Sequence, residues 1–306
     1  MSPRPLLAVS LLGAALLTAC GGGDDDSSLS QDVAQGYAAD ATTMTVLSAS
    51  GMDNAADVLE NTLTGAVTGS ASCAGGGTVS WSITGGTTTQ QLNGQLDAGE
   101  TYSVNYVNCG VGDASQVLDG SLSLVVTAIG SGTADLTLTA TALKSTTAQG
   151  SVTLNGTKRR QRSVVDLGGG ARRVTAQLTS SSDVTATSSF SGRSASYTLR
   201  SLNWTIVRTF NTSGALTQRT HQGSLSLAAN TPRRPNATLQ INTQGTLTLA
   251  SDGLASAGSF EVITSNNRIV CVYGSGSINL QLDLGNNGSI DRSWTLTRTV
   301  YNGEAG

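Results

Sequence analysis

Apolar and polar residues alternate along most of the chain after Cys73. Val79, Trp81 and Ile83 are separated by single serines. The same alternation recurs within residues 121–126, 135–139, 224–227, 246–249 and 278–284. A strand with one buried face and one solvated face produces this pattern, which is typical of antiparallel sheets. The sequence therefore predicts many half-buried antiparallel strands.

Glycine-rich segments separate these stretches. The chain holds 37 Gly against 4 Pro, and segments such as TGG, LGGG, NTSG and LGNNG lie between the alternating runs. Gly supplies the positive φ that tight hairpin turns need. We predict a mainly β fold: a large antiparallel meander that forms a curved sheet, an open barrel or a sandwich.

Helical signal is confined to the region before the strands. In ASGMDNAADVLENTL, Asp53 can serve as an N-cap for the apolar residues that follow it. Residues 31–47 are Ala-rich and ambiguous. We expect one or two short N-terminal helices.

Repeated segments bear on the domain organisation. WTIVRTF at Trp204 resembles WTLTRTV at Trp294, and each places Trp and Arg at i and i+4 on one strand face. In that arrangement Arg208 and Arg298 could lie over the indole rings. We predict a single all-β domain over residues 31–306, or two related halves that meet near residue 157.

The chain begins with a short apolar run. Residues 6–17 carry no charge and follow Arg4. A helix of this length spans roughly 18 Å, well short of a bilayer core of about 30 Å. A positive start, a short apolar centre and small residues at the end indicate a secretory signal.

The end of this run, Leu17-Thr18-Ala19-Cys20, resembles the lipobox of bacterial lipoproteins. The resemblance implies that residues 1–19 are a signal peptide and that Cys20 becomes the first residue and carries lipid, including an acyl group such as palmitate. The alternative is an ordinary secretory signal with a chance Cys. Residues 20–30 are mostly small or acidic and predict a flexible tether. In Gram-negative lipoproteins an Asp after the lipidated Cys favours the inner membrane, so Gly21 favours the outer membrane.

Charge is unevenly distributed. Between residues 20 and 156 there are thirteen acidic residues and one basic residue, whereas residues 157–306 hold seven acidic and fifteen basic residues. The split indicates either a basic surface for anionic partners or two halves that neutralise each other. We favour neutralisation within one chain.

The basic segment KRRQRSVVDLGGGARR at 158–173 is the strongest candidate for an anion site. Arg forks suit phosphates and carboxylates, and a hairpin at the Gly triplet would gather the candidates. We favour the alternative, in which the segment is a solvated hairpin or one that faces the acidic half. The candidate residues are Arg159, Arg160, Arg172 and Arg173.

Three cysteines remain if Cys20 carries lipid. An envelope compartment permits disulfides. We predict a Cys73–Cys109 bond with Cys271 as a buried strand thiol, and Cys73–Cys271 as the alternative.

Signatures of catalysis are scarce. The single His, His221, is more simply a hydrogen-bonded surface or edge residue than a base, and there is no Gly-x-Ser-x-Gly elbow, phosphate-binding loop or cluster of metal ligands. Asp283–Asp291 partly matches a calcium loop, but a turn explains it. We predict no metal, no cofactor and no catalytic residue, and whether the protein is an enzyme stays open. Aromatic content of 4% argues against nucleic acid as a partner.

The sequence thus predicts a membrane-anchored cell-envelope lipoprotein. Its β body would be a non-catalytic scaffold for binding or interaction, and its partners would be the membrane, through Cys20, and another envelope component. The alternative is an envelope hydrolase with an unmarked site involving His221.

Overall fold

The computed structural model describes residues 29–111, 116–147, 150–180, 182–190, 193–230, 237–249, 255–274 and 276–297. The described helices are α1 (Gln31–Thr62) and the single turn α2 (Thr88–Gln91). The sixteen described strands are β1 (Thr68–Ser72), β2 (Thr78–Gly85), β3 (Glu100–Val111), β4 (Gln116–Gly130), β5 (Thr133–Thr147), β6 (Gly150–Gly168), β7 (Ala171–Thr179), β8 (Val184–Phe190), β9 (Arg193–Phe210), β10 (Leu216–Asn230), β11 (Ala237–Thr243), β12 (Leu247–Leu249), β13 (Ala255–Ile263), β14 (Asn267–Tyr273), β15 (Ser277–Leu284) and β16 (Arg292–Thr297).

All of these strands belong to one antiparallel sheet, so the predicted mainly β class is confirmed. Strands follow one another across the sheet almost in chain order, as expected for a meander. In two places a pair of short strands lies end to end against longer neighbours. β7 and β8 share the position between β6 and β9, and β11 and β12 share the position between β10 and β13.

Helix α1 is one continuous helix of 32 residues, longer than the short helices expected. Its N-cap is Ser30, whose hydroxyl accepts a hydrogen bond from the N–H of Val33. Asp53 therefore lies in the middle of the helix, and its interpretation as an N-cap was wrong. The Ser, Thr and Gly residues of this segment lower helix propensity, and packing inside the sheet offsets that cost.

The sheet curves around α1. The helix contacts β2–β6 on one side and β11 and β13–β15 on the other. Small side chains allow this close approach: a Cβ added at Gly51 would lie 2.8 Å from Cδ1 of Leu154. Five alanines of the helix are fully or almost fully buried: Ala34, Ala38, Ala41, Ala55 and Ala56.

Bulges bend the long strands. The β4–β5 ladder shifts register near Gly120, and a Cβ there would lie 2.2 Å from the carbonyl oxygen of Ala142, which itself has a φ of 47°. Such shifts increase local twist and bend a strand, which helps a wide sheet to curl. The C-terminal end of the helix lies at the same end of the strands as the turns of the β4–β5, β6–β7 and β9–β10 hairpins. We call this the upper end of the sheet. Leu29 lies at the opposite, lower end, where its carbonyl accepts a hydrogen bond from Arg292.

Across the described segments, no helix combines the length and apolar character needed to cross a membrane.

Candidate functional site

The densest group of ionisable side chains lies between α1 and the sheet, near the upper end. Asp53, Asp57 and Glu60 are spaced i, i+4 and i+7, so they form one stripe along the helix. Opposite them, β6 presents Lys158, Arg160 and Arg162 at alternate positions, and β9 presents Arg208. We call these seven residues the charge cluster.

Arg160 is the centre of the charge cluster. Its side chain is 1% exposed, with Nε 2.7 Å from Oδ1 of Asp53. Its Nη2 lies 2.5 Å from Oδ1 of Asp57, and its Nη1 lies 3.5 Å from Oε1 of Glu60. One guanidinium therefore holds three consecutive acidic positions of the helix.

Two further arginines complete the contacts. Nη2 of Arg208 lies 2.5 Å from Oδ2 of Asp53, and its Nη1 lies 2.6 Å from Oδ2 of Asp57. Arg162 pairs with Glu60. These ion pairs join the acidic first half of the chain to the basic second half, so the predicted neutralisation between the halves is confirmed.

Burial and charge together set the pKa values in the cluster. Burial raises the pKa of Asp53, but Arg160 and Arg208 more than offset it, so the pKa lies below its ordinary value. Burial also raises the pKa of Glu60, and there Arg160 and Arg162 offset it only in part. Burial lowers the pKa of Lys158 to about 8, despite the nearby Asp53. Lys158 is thus the cation of the cluster that loses its proton most easily.

His221 lies beside the cluster on β10. It is 2% exposed, and its Nδ1 accepts a hydrogen bond from Nε1 of Trp204 over 3.1 Å. Burial, together with Arg219 and Arg208, lowers the pKa of His221 to about 3. The ring is therefore neutral at physiological pH, and its hydrogen bond assigns the proton to Nε2.

This geometry leaves His221 poorly suited to act as a base. The nitrogen with the lone pair, Nδ1, already accepts from Trp204, and Nε2 has no hydrogen-bond partner among the described residues. A general base needs a lone pair within reach of the proton that it removes. No described serine lies in hydrogen-bond contact with the ring.

The four predicted anion-site arginines do not form one patch. Arg160 points into the charge cluster, whereas Arg159 is exposed on the other face of β6 and pairs with Asp135. Arg172 and Arg173 lie at the end of the β6–β7 hairpin, and both are exposed. The alternation of a strand places neighbours in sequence on opposite faces, so the basic residues of this segment are divided between the two faces of the sheet.

Trp204 and Arg208 also differ from the predicted stacking arrangement. Arg208 turns to the helix carboxylates, and the indole of Trp204 binds His221. The described cation–π contact is instead between Arg172 and Phe210, with Cζ 5.0 Å from the ring centroid. Arg298 lies outside the described residues.

The predicted disulfide is confirmed. Cys73 and Cys109 are bonded near the lower ends of β2 and β3, and Cys271 is buried in β14 outside this bond. Cys20 lies outside the described residues.

The Asp283 segment is a turn. The two carboxylate oxygens of Asp283 accept the backbone N–H groups of Asn287 and Gly288, at 2.8 and 2.9 Å. These bonds hold the turn that follows β15. Within the described ranges, no group of three or more His, Cys, Asp or Glu side chains could hold a metal ion.

A shallow groove of about 450 Å³ crosses the outer face of β2–β5. Hydroxyl and amide side chains supply its polar groups, and none of its lining residues carries a charge. The polar lining residues are Ser80, Ser82, Ser103, Asn105, Ser121, Ser123 and Thr141.

Sequence reasoning missed the charge cluster, although two signals were present. The acids recur at helical spacing and the cations recur at strand spacing, so each set lies on one face of its element. No family model, curated protein or solved structure matches this chain. The functional conclusion therefore depends on the residues and their geometry.

Proposed function

We propose that this chain is a lipid-anchored protein of the cell envelope, and that its β body is a non-catalytic scaffold for binding or interaction. The anchor is proposed from Leu17-Thr18-Ala19-Cys20, which resembles a lipobox. Residues 20–30 would form the tether between lipid and body. Two or more acyl chains hold a protein stably at a membrane, whereas one binds only marginally.

The Cys73–Cys109 bond supports an envelope location. Disulfides persist in oxidising compartments such as the bacterial periplasm and are rare in the cytosol. Within the envelope, Gly21 after the lipidated Cys favours the outer membrane over the inner one.

The single observation that carries the scaffold proposal is the outer groove on β2–β5. Serine, threonine and asparagine groups can hydrogen-bond a neutral polar partner, such as another envelope component. The groove lining contains no carboxylate, imidazole or amine that could transfer a proton. An open, uncharged, hydroxyl-lined surface suits binding rather than acid–base catalysis.

The hydrolase alternative finds no comparable support. His221 is buried and neutral, and its accepting nitrogen is engaged by Trp204. We therefore do not propose it as a second function.

The anchor is tested by Cys20→Ala in cells. We expect the variant to lose incorporation of labelled palmitate and to move from the detergent phase to the aqueous phase in detergent partitioning. Ser28→Ala, a neutral change within the same tether, is the matched control and should behave as the unaltered chain. Retention of Cys20→Ala in the detergent phase would show that the anchor lies elsewhere.

The choice of membrane is tested by Gly21→Asp. Density separation of the two membranes should show the unaltered chain in the outer membrane and the Asp variant in the inner membrane. Identical distributions of the two chains would overturn the assignment.

The scaffold is tested at the groove. A photo-crosslinking side chain at Ser103 should give a discrete adduct in cells, whereas the same side chain at exposed Lys144, outside the groove, should not. Equal labelling from both positions would mean that the groove has no dedicated partner.

A further inference from the structure

Two hairpins project at the upper end of the sheet. β6–β7 turns at Gly168–Gly170, and β9–β10 turns between Phe210 and Leu216. The two turns lie against each other, since a Cβ at Gly169 would be 3.6 Å from Cγ2 of Thr212. We call residues 164–174 and 210–216 the hairpin tip.

The hairpin tip exposes large apolar side chains. Val165 is 52% exposed, Leu167 45% and Leu216 43%. Ile129, near the turn of the neighbouring β4–β5 hairpin, is 41% exposed. Exposed apolar residues on a soluble protein are usually scattered singly, so their concentration at one end of the sheet indicates an interaction surface.

These side chains lie on both faces of the sheet. Val165 pairs with Arg173 across the β6–β7 ladder and shares its face. Asp166, Arg172, Phe210 and Leu216 form a row on the opposite face. A rigid protein surface packs against one face of a hairpin, whereas a fluid interface surrounds both.

The hairpin tip carries one arginine on each face, with Asp166 opposite Arg172, and its net charge is +1. Arg172 and Arg173 are exposed, and the one acid, Asp166, accepts the N–H of Gly168 through Oδ1. Arginine can bury its aliphatic stem among apolar side chains while its guanidinium reaches phosphate groups. Apolar groups flanked by arginines are the chemistry that suits an anionic lipid surface.

We propose that the hairpin tip inserts shallowly into an anionic lipid surface. This contact is separate from the proposed anchor at Cys20 and does not require acylation. Because Leu29 lies at the opposite edge of the sheet, the surface is either the membrane that holds the chain, with the body lying along it, or a second membrane facing it.

The test places an environment-sensitive fluorophore at the tip of the full chain. Leu167→Cys in a Cys20→Ala background gives an exposed thiol for labelling, while Cys271 is buried and Cys73 and Cys109 are bonded. Vesicles of phosphatidylglycerol and phosphatidylcholine should shift the emission of the label to the blue. Pure phosphatidylcholine vesicles should not. Ile290→Cys, 46% exposed at the lower end, is the matched position and should show no shift in either lipid.

Charge removal gives the second readout. Arg172→Gln with Arg173→Gln should raise the concentration of anionic lipid that gives a half-maximal shift at least about tenfold, because each basic residue near such a surface adds to the free energy of membrane binding. Lys144→Gln with Arg200→Gln removes the same charge away from the tip and should change little. Melting temperatures of all variants should agree, because these side chains are exposed.

The source of the lipid is resolved with Leu167→Cys chains that keep Cys20 and are held by their acyl groups on phosphatidylcholine vesicles, to which anionic vesicles are then added. A shift on adding anionic vesicles indicates that the tip binds a facing membrane. A shift that occurs only when the vesicles that hold the chain themselves contain anionic lipid indicates that the tip binds the same membrane. No shift at residue 167, equal shifts at 167 and 290, or equal shifts in both lipids would overturn the proposal. So would concentration-dependent dimers that Leu167→Ser abolishes, because a second copy would then cover the tip. The label-shift titrations use the Cys20→Ala background, which removes the anchor. Their failure therefore leaves the anchor proposal standing, and the reverse also holds.

Discussion

Asp53 of the helix and Arg160 of β6 lie 2.7 Å apart between Oδ1 and Nε, with both side chains almost completely buried. They are more than a hundred residues apart in sequence. This pair fixes the position of α1 within the curl of the sheet and joins the acidic half of the chain to the basic half. A buried ion pair costs much in desolvation, so its contribution is clearest when one partner is removed.

Arg160→Gln should therefore destabilise the fold strongly. It leaves Asp53 with Arg208 as its remaining arginine partner, and loss of one member of a buried pair typically costs about 3–5 kcal/mol. Urea unfolding measures the change. Arg159→Gln is the matched control, because Arg159 is exposed and its pair with Asp135 is screened by solvent. If both variants unfold at the same urea concentration, the charge cluster does not hold the helix.

Lys158 should oppose stability at neutral pH. Its pKa is about 8 in the folded state against 10.5 when exposed, so the unfolded chain binds more protons between these values. Stability of the unaltered chain should rise as pH increases from 8 to 10.5. Lys158→Met should remove this rise and increase the free energy of unfolding at pH 7, by up to about 3 kcal/mol. Lys144→Met, at an exposed position, should leave the pH profile unchanged; an unchanged profile for Lys158→Met would contradict the assignment.

His221 should make the fold sensitive to acid. The pKa is about 3 when folded and 6.5 when exposed, so as pH falls the unfolded chain takes up the proton first. Between pH 6.5 and 4 the unaltered chain should lose roughly 3 kcal/mol more stability than His221→Gln. Carbon chemical shifts of the imidazole should report a neutral ring down to pH 4. Titration near pH 6.5 would show that the ring is accessible and would reopen a role as a base.

The disulfide should contribute to stability through the unfolded state. The bond closes a loop with a sequence separation of 36, for which chain entropy gives about 4 kcal/mol. Replacing Cys73 and Cys109 together by Ala should lower the melting temperature accordingly. Adding reductant to the unaltered chain should lower it similarly, whereas reductant should not affect the Ala variant. Non-reducing peptide mapping should recover Cys73 joined to Cys109; a peptide containing Cys271 in a mixed disulfide would contradict the pairing.

The sequence by itself determined the class of fold. Alternation such as Val79, Trp81 and Ile83 is a local property, because neighbouring side chains of a strand point to opposite faces whatever the strand pairs with. The Cys73–Cys109 bond could be predicted from the same local patterns, because both residues border predicted strands. The unequal charges of the two halves indicated that the halves meet, but not which residues do so.

Only the tertiary structure decided the length of α1, the partners of its acids and the state of His221. The Ala-rich residues 31–47 were locally ambiguous, and the surrounding sheet stabilises one helix over 31–62. Asp53 was interpreted as an N-cap from the apolar residues that follow it. Its partners, Arg160 and Arg208, are more than a hundred residues away in sequence, so no local pattern indicates them. The pKa of His221 depends on burial and on the nearby Arg219 and Arg208, and the hydrogen bond from Trp204 sets the tautomer; the curvature of the sheet brings these groups together. Periodicity fixes which face a side chain takes, whereas the residues across from that face depend on long-range contacts that no local pattern contains.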